Sequence, residues 1–146
     1  MMGHEELMEA WRIDSMLDRS ELMNTMYSHP MLHSKYLTIL QEYKVSIRKL
    51  AIKYSTLKAT KTRYYNGEMT KDELDLLGWK QYLLKKPLKS EMETILSGDA
   101  DLQKIEEKTL YLETLIQSAE MIMKDITNRY YLFKSMVEYE KFQAGV

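Results

Sequence analysis

The sequence predicts an all-α fold, an elongated protomer built on two long helices with short helices before the first, and three observations carry that prediction. Only five Gly and two Pro are spread over 146 residues, too little punctuation for the many turns of a sheet protein. Apolar residues between Tyr36 and Leu57 alternate at spacings of four and three, and those between Ile105 and Val137 repeat every seven; both are helical periods. With 45 % apolar and 29 % charged residues, the chain belongs with folded globular proteins and has the length of one ordinary domain. No apolar run is long enough to span a bilayer, and the start MMGHEELMEAWRID lacks the cationic and apolar regions of a secretory signal, so a soluble, cytosolic protein is expected. The absence of Cys excludes disulfides, thiolate nucleophiles and Cys-based zinc sites.

Taken in order, Leu7, Met8, Trp11 and Met16 lie at helical spacing around a first helix from Glu5 to Ile13. Asp18 or Ser20 can cap a short second helix ending near Tyr27. Ser28-His29-Pro30 reads as the start of the long helix, because Pro in a first turn lacks only a hydrogen bond that the helix would not make. Its seam is Tyr36, Leu40, Tyr43, Ile47, Leu50, Tyr54 and Leu57, a coiled-coil pattern. The helix is expected to run to Tyr64 or Tyr65 and stop at Asn66-Gly67. Thr70 followed by Glu73 is a capping box, opening a helix that Gly78 weakens and Pro87 ends. A short piece from Lys89 to Leu96 follows, and Ser97-Gly98-Asp99 offers a turn and an N-cap for the final helix.

In that last helix Ile105, Leu112, Ala119, Ile126 and Phe133 occupy heptad position a; Leu115, Ile122 and Met136 occupy d; Ile116, Met123, Tyr130 and Val137 occupy e. A stripe this wide exceeds what one partner helix covers. These twelve residues are the expected interface of a homo-oligomer, and Lys108 and Arg129 at d are charges suited to setting register or lining a lumen. The alternative is an antiparallel hairpin in which the two seams bury each other and the e positions stay exposed. The organisation expected is an N-terminal helical region, residues 1–98, holding a basic segment at 44–89, and an oligomerisation helix, residues 99–146.

Signatures of catalysis are missing. Gly3, Gly67, Gly78, Gly98 and Gly145 stand alone, so neither a P-loop nor a dinucleotide-binding turn exists. His29 and His33 are four apart but have no carboxylate at ligand spacing and enclose Pro30, which favours ordinary structural histidines over a metal site. Asp99 and Asp101 begin like a calcium loop, yet Lys104 and Leu110 stand where its glycine and closing glutamate belong. They fit better as charges at a helix N-terminus. Neither an enzymatic role nor a cofactor is expected.

What the sequence does offer is charge. Lys44 to Gly67 holds seven Lys or Arg and no acid, so this +7 segment leaves −8 for the other 122 residues of a chain whose formal charge is −1. A solvated helix normally interleaves Glu with Lys, and the missing anions suggest an external source. Lys58, Lys61 and Arg63 stand beside Tyr64 and Tyr65, with Arg48, Lys49 and Lys53 before them; Lys85, Lys86 and Lys89, with Lys80, Trp79 and Tyr82, form a second basic-aromatic stretch. Cations bind phosphates and aromatic faces stack unpaired bases, a combination that fits single-stranded DNA. Packing of the tyrosines against the next helix is the competing reading.

The segments LHSKYL (Leu32–Leu37), LKA and RYYNG (Leu57–Ala59, Arg63–Gly67), KSEMETILSGDADL (Lys89–Leu102) and FQAG (Phe142–Gly145) resemble the UvsY recombination mediators of tailed phages. The resemblance runs from about Leu32 to the C-terminus. It implies a protein that is not an enzyme, binds single-stranded DNA, forms a ring-like homo-oligomer (a hexamer or heptamer) through its C-terminal helix, and loads a RecA-like phage recombinase onto DNA covered by single-strand-binding protein in the cytoplasm of the infected host cell. The family's DNA-contact motif is Lys-Ala-Arg before the Tyr-Tyr pair. Lys58-Ala59 matches it, whereas Thr60 takes the Arg position, with Lys61 and Arg63 as replacements for the charge. Two other classes compete with this reading. One is a coiled-coil adaptor binding only proteins. The other is a peripheral membrane binder, which the tyrosine-rich seam suits poorly.

Overall fold

A computed structural model describes residues 1–145, and among them there is no strand. The order is α1 (His4–Asp14), a 3-10 turn (Arg19–Glu21), α2 (Leu22–Tyr65), α3 (Lys71–Leu77), α4 (Met92–Ser97) and α5 (Ala100–Gln143). The all-α prediction holds, and the two long helices have 44 residues each.

Boundaries follow local chemistry. Asp18 does cap, but only the 3-10 turn, its carboxylate accepting from the Ser20 N–H. The long helix starts at Leu22 and carries Pro30 inside it, so the expected break before Pro30 does not occur. Pro inside a helix costs about 3 kcal/mol. Continuity places the ring of His29 edge-on to Phe133, centroids 5.2 Å apart, which keeps the first turns of α2 on the core. Gly67 ends α2 region with φ 71°, and the Glu68 N–H returns to the Arg63 carbonyl. The Thr70–Glu73 capping box forms in full, but α3 stops at Gly78, φ 70°, rather than at Pro87. A left-handed glycine closes the helix with hydrogen bonds to Leu74 and Asp75, so the residue taken as a weak point is the terminator.

The chain packs as two compact units, divided within both long helices. One comprises Met1–Ser46 and the chain from Leu112 onward; the other is Ile47–Tyr111. In the first unit, α2 residues of rising number meet α5 residues of falling number: Arg19, just before α2, pairs with Glu140, His29 with Phe133 and Lys44 with Glu120. The helices are therefore antiparallel there. Tyr36, Ile39, Leu40 and Tyr43 are buried, as are Leu112, Leu115, Ala119, Ile122, Ile126 and Phe133. Leu7 of α1 is fully buried, and Trp11 meets Tyr36 edge-on at 5.4 Å.

Hence most of the a and d positions expected to face other subunits are used within the chain. In the same unit the e residues Ile116, Met123 and Val137 are half-buried, as is Met136, and Tyr130 is exposed. Arg129, at d, is buried: its guanidinium donates to the Ser15 carbonyl at 2.5 Å and lies 5.2 Å from the Trp11 ring centre. It binds the end of α1 and lines no lumen. The second unit has a smaller apolar core, Met92, Leu96 and Leu102 with Tyr54, Leu57 and Tyr65 against it; Ile105 is buried and Lys108 exposed.

Candidate nucleic-acid interface

Counting on from Leu57 by the seam's spacing of four reaches Lys61. The ammonium of Lys61 is accordingly carried inward, and the residue is only 6 % exposed. Its Nζ lies 2.8 Å from Asp101 Oδ2 and 3.1 Å from Asp99 Oδ2, and 4.2 Å from the centre of the Trp79 ring. Asp99 is held from several sides. Its Oδ1 accepts the N–H groups of Asp101 and Leu102, both at 3.0 Å, capping α5, and its Oδ2 accepts the Tyr65 hydroxyl at 2.7 Å. Burial alone would lower the pKa of Lys61, but hydrogen bonds from its ammonium to both aspartates raise it. Burial likewise opposes ionisation of Asp99, and the Tyr65, Leu102 and Lys61 donors outweigh it, holding the carboxyl below its ordinary value. Lys61 therefore fastens α5 to α2 in this unit, with its ammonium turned inward onto Asp99 and Asp101 rather than out to solvent.

The tyrosines are also turned inward. Tyr64, Tyr65, Trp79 and Tyr82 form one cluster with ring centroids 5.0 to 5.9 Å apart. The Tyr64 hydroxyl donates to the Lys80 carbonyl at 2.6 Å, pinning the segment that follows α3. Tyr64 and Tyr65 are half-buried and pack edge-on or tilted against other rings, the arrangement that the packing reading expects.

Four of the seven cations between Lys44 and Gly67 find acids in the chain. Lys61 has Asp99 and Asp101, Lys58 has Glu93 at 3.3 Å, Arg63 grips both Glu73 oxygens at 3.1 Å, and Lys44 faces Glu120 at 3.5 Å. The anions missing from the helix are thus supplied largely by α3, α4 and α5. Three remain: Arg48, Lys49 and Lys53 are exposed and have no ion-pair partner among the described residues. At 100° per residue they fall within one arc of about 140° on α2, with Ile52, 69 % exposed, between them. Lys85, Lys86 and Lys89, in the non-helical segment between α3 and α4, are likewise exposed and unpaired among the described residues. On α2, Arg48, Lys49 and Lys53 thus form a cationic ridge open to solvent. Such a ridge holds a polyanion by its backbone charge without reading bases.

A profile of the family described as "Recombination, repair and ssDNA binding protein UvsY" matches residues 10–146. The chain belongs to the UvsY family. The recombination protein UvsY of Enterobacteria phage T4 is 25 % identical over 144 residues, covering 99 % of each chain. Crystal structures of the bacteriophage T4 recombination mediator protein UvsY superpose with TM-scores of 0.82 and 0.80, at 24 % and 22 % identity, over 99 % and 97 % of this chain and 99 % of those chains, a likeness of fold. Within this UvsY fold, no cluster of His, Asp and Glu suited to a metal ion exists among the described residues. His29 is half-buried with Nδ1 unpartnered and its pKa lowered, first by burial and then by Arg129, while Asp99 and Asp101 serve Lys61 and the α5 cap. No helix of the described residues is long and apolar enough to cross a membrane.

One feature of α5 escaped the heptad reading. Met121, Tyr131, Leu132, Tyr139 and Phe142 are all exposed and fall within an arc of about 100° on the helix. They form a second apolar stripe, on the side away from the buried a and d residues. The sequence signal for it is the excess of aromatics, Tyr130, Tyr131, Phe133, Tyr139 and Phe142, over what one seam can bury.

Proposed function

We propose that this chain is a recombination mediator, without enzymatic activity or cofactor, that binds single-stranded DNA along Arg48, Lys49 and Lys53 and promotes loading of a RecA-like phage recombinase onto DNA covered by single-strand-binding protein, in the cytoplasm of the infected cell. One observation carries the DNA reading: of the cations on an acid-free helical segment, these three are solvent-exposed and unmatched, in a chain whose family is described by recombination, repair and single-stranded DNA binding. Lys58 and Arg63, paired at partly exposed sites, join them by exchanging a carboxylate for a phosphate, and Lys85, Lys86 and Lys89 extend the positive field. Exposed pairs of this kind are worth only about 0–1 kcal/mol, so the exchange is cheap.

Titration with a mixed-sequence oligonucleotide over a range of salt tests this. The three ridge contacts give a slope of log affinity on log salt of about −2 per protomer, and Lys58 and Arg63 steepen it to about −3.5, at roughly −0.7 per contact on single strands. A slope near zero refutes the phosphate reading, and strong preference for one base sequence refutes recognition through the backbone.

The active form is a ring-like homo-oligomer, a hexamer or heptamer, closed through the outer stripe of α5 and Tyr130. Repeating a modest cationic ridge around a ring multiplies its hold on one strand. The a and d residues support the assembly from behind by fixing α5. Tyr131→Asp with Phe142→Asp should therefore lower the native mass while leaving the helical content intact. Ile126→Asp buries a carboxylate in a site with no solvent access and should unfold the chain, at a cost of several kcal/mol. A Tyr131/Phe142 double variant of unchanged mass rules out the outer stripe as the interface.

A further inference from the structure

Between α3 and α4 the chain runs without helix from Trp79 to Glu91, yet it is anchored at both ends. Trp79 and Tyr82 are locked into the cluster with Tyr64 and Tyr65, Tyr64 holds the Lys80 carbonyl, and Pro87 is buried. Between these anchors everything points outward. Leu83 is 87 % exposed and Leu84 73 %; Leu76, at the end of α3, is 88 % exposed. Lys85 and Lys86 are exposed beside them, and no Asp or Glu occurs from Trp79 to Ser90. Among the described residues, no backbone N–H from Lys80 to Lys86 donates to a partner.

We propose that Leu83–Lys86, flanked by Leu76 and Leu88, is a docking site for an acidic, leucine-bearing peptide segment of a protein partner. The division of side chains favours a peptide over nucleic acid. The aromatic groups of this segment, which would stack on bases, are the ones turned inward, and the aliphatic groups, which have no stacking face, are turned out. A peptide uses all three exposed elements together: leucine pairs with leucine, carboxylates meet lysines, and the free N–H groups donate to peptide carbonyls as in strand addition. Because both ends are fixed, little order has to be created on binding. Lys85 and Lys86 also add to the positive field around the α2 ridge, whereas Leu83 and Leu84 belong to this site alone, so substitutions at the leucines test it apart from the ridge.

The test uses the full chain, a labelled peptide of Asp, Glu and Leu, the same peptide with Ser for Leu, and an oligothymidine, each titrated by fluorescence anisotropy. Leu83→Ser with Leu84→Ser should weaken the leucine peptide by at least about tenfold and leave oligothymidine affinity, helical content and native mass unchanged, since neither side chain is packed in the fold. Lys85→Ser with Lys86→Ser should weaken both peptides, and the leucine-free peptide should bind the parent chain less tightly. Three results overturn the proposal: leucine-peptide affinity unchanged in the Leu83/Leu84 variant, an equal loss of oligothymidine affinity in that variant, which would make the segment a nucleic-acid surface, or a change in its mass, which would make it a contact between copies of this chain. Failure of the parent chain to bind oligothymidine would instead count against the α2 ridge alone.

Discussion

Each compact unit buries one cation from a long helix against one of the chain's two tryptophans, and the two solve the same problem differently. In the unit of the termini, Arg129 lies over Trp11 and donates to the Ser15 carbonyl, with no carboxylate in salt-bridge contact; burial lowers its pKa. In the unit of residues 47–111, Lys61 lies over Trp79 with Asp99 and Asp101 in contact, and its pKa is raised. Guanidinium is weakly hydrated and stays charged with neutral acceptors, whereas an ammonium loses more hydration and requires anions. Arg129 closes a unit that already has a large apolar core. Lys61 closes one whose apolar core is small, so there the polar cluster carries more of the fold.

Removing Lys61 should therefore be the most damaging change. Lys61→Met leaves Asp99, with a side chain 3 % exposed, buried without its cation, a situation that costs about 3–5 kcal/mol. Denaturant unfolding measures it. Arg129→Met strands only the Ser15 carbonyl and should cost about 1–3 kcal/mol. If Arg129→Met proves the worse of the two, the contrast drawn from their partners is wrong and the packing of Trp11 matters more than the charge.

The same contrast has a pH dependence. Asp99 has a depressed pKa in the fold, so its contribution is complete above the unfolded value of about 3.9 and is lost as pH falls through the lower folded value. Asp14, held by Lys35 and Tyr36 against the effect of burial, behaves the same way in the other unit. Arg129 has no such carboxylate in contact and adds no acid transition of its own. Stability followed from pH 6 to pH 2 should fall, and Asp99→Asn should flatten part of that fall. A profile unchanged by Asp99→Asn would mean that the carboxylate is not ionised in the cluster.

Much of this was readable in the sequence, and the failures have one cause. Helix class, the Thr70 capping box, the Asn66-Gly67 stop and the Asp99 cap depend on neighbours in the chain, and all were found. Lys61 was misread because a cation among cations was taken as surface, although the 4-3 seam continued through it; its partners lie 38 and 40 residues on, beyond any local pattern. The same distance hid Glu73 and Glu93 as partners for Arg63 and Lys58. Pro30 looked like a boundary because local cost was weighed without the contact between His29 and Phe133. The heptads of α5 marked a buried face correctly but not what buries it, since a seam reads the same toward its own chain and toward a copy.

The smallest structural effect, and the sharpest functional one, belongs to the cations that neither unit uses. Arg48, Lys49 and Lys53 touch no acid and bury little, so replacing all three by Ala should change stability by no more than about 0.5 kcal/mol, and relief of like charges along the helix makes a small gain as expected as a small loss. Single-strand affinity should nevertheless drop at least tenfold at low salt, with the salt slope falling by about 2 per protomer, while native mass stays the same. Lys61→Met tests the other side: variants still folded, held at low temperature, should keep that slope, because the buried ammonium contributes no phosphate contact. If the triple variant binds DNA like its parent while folded Lys61→Met loses the salt slope, then Lys61 must leave its aspartates to meet DNA, and the division between the cation that holds the fold and the cations that hold the strand is wrong.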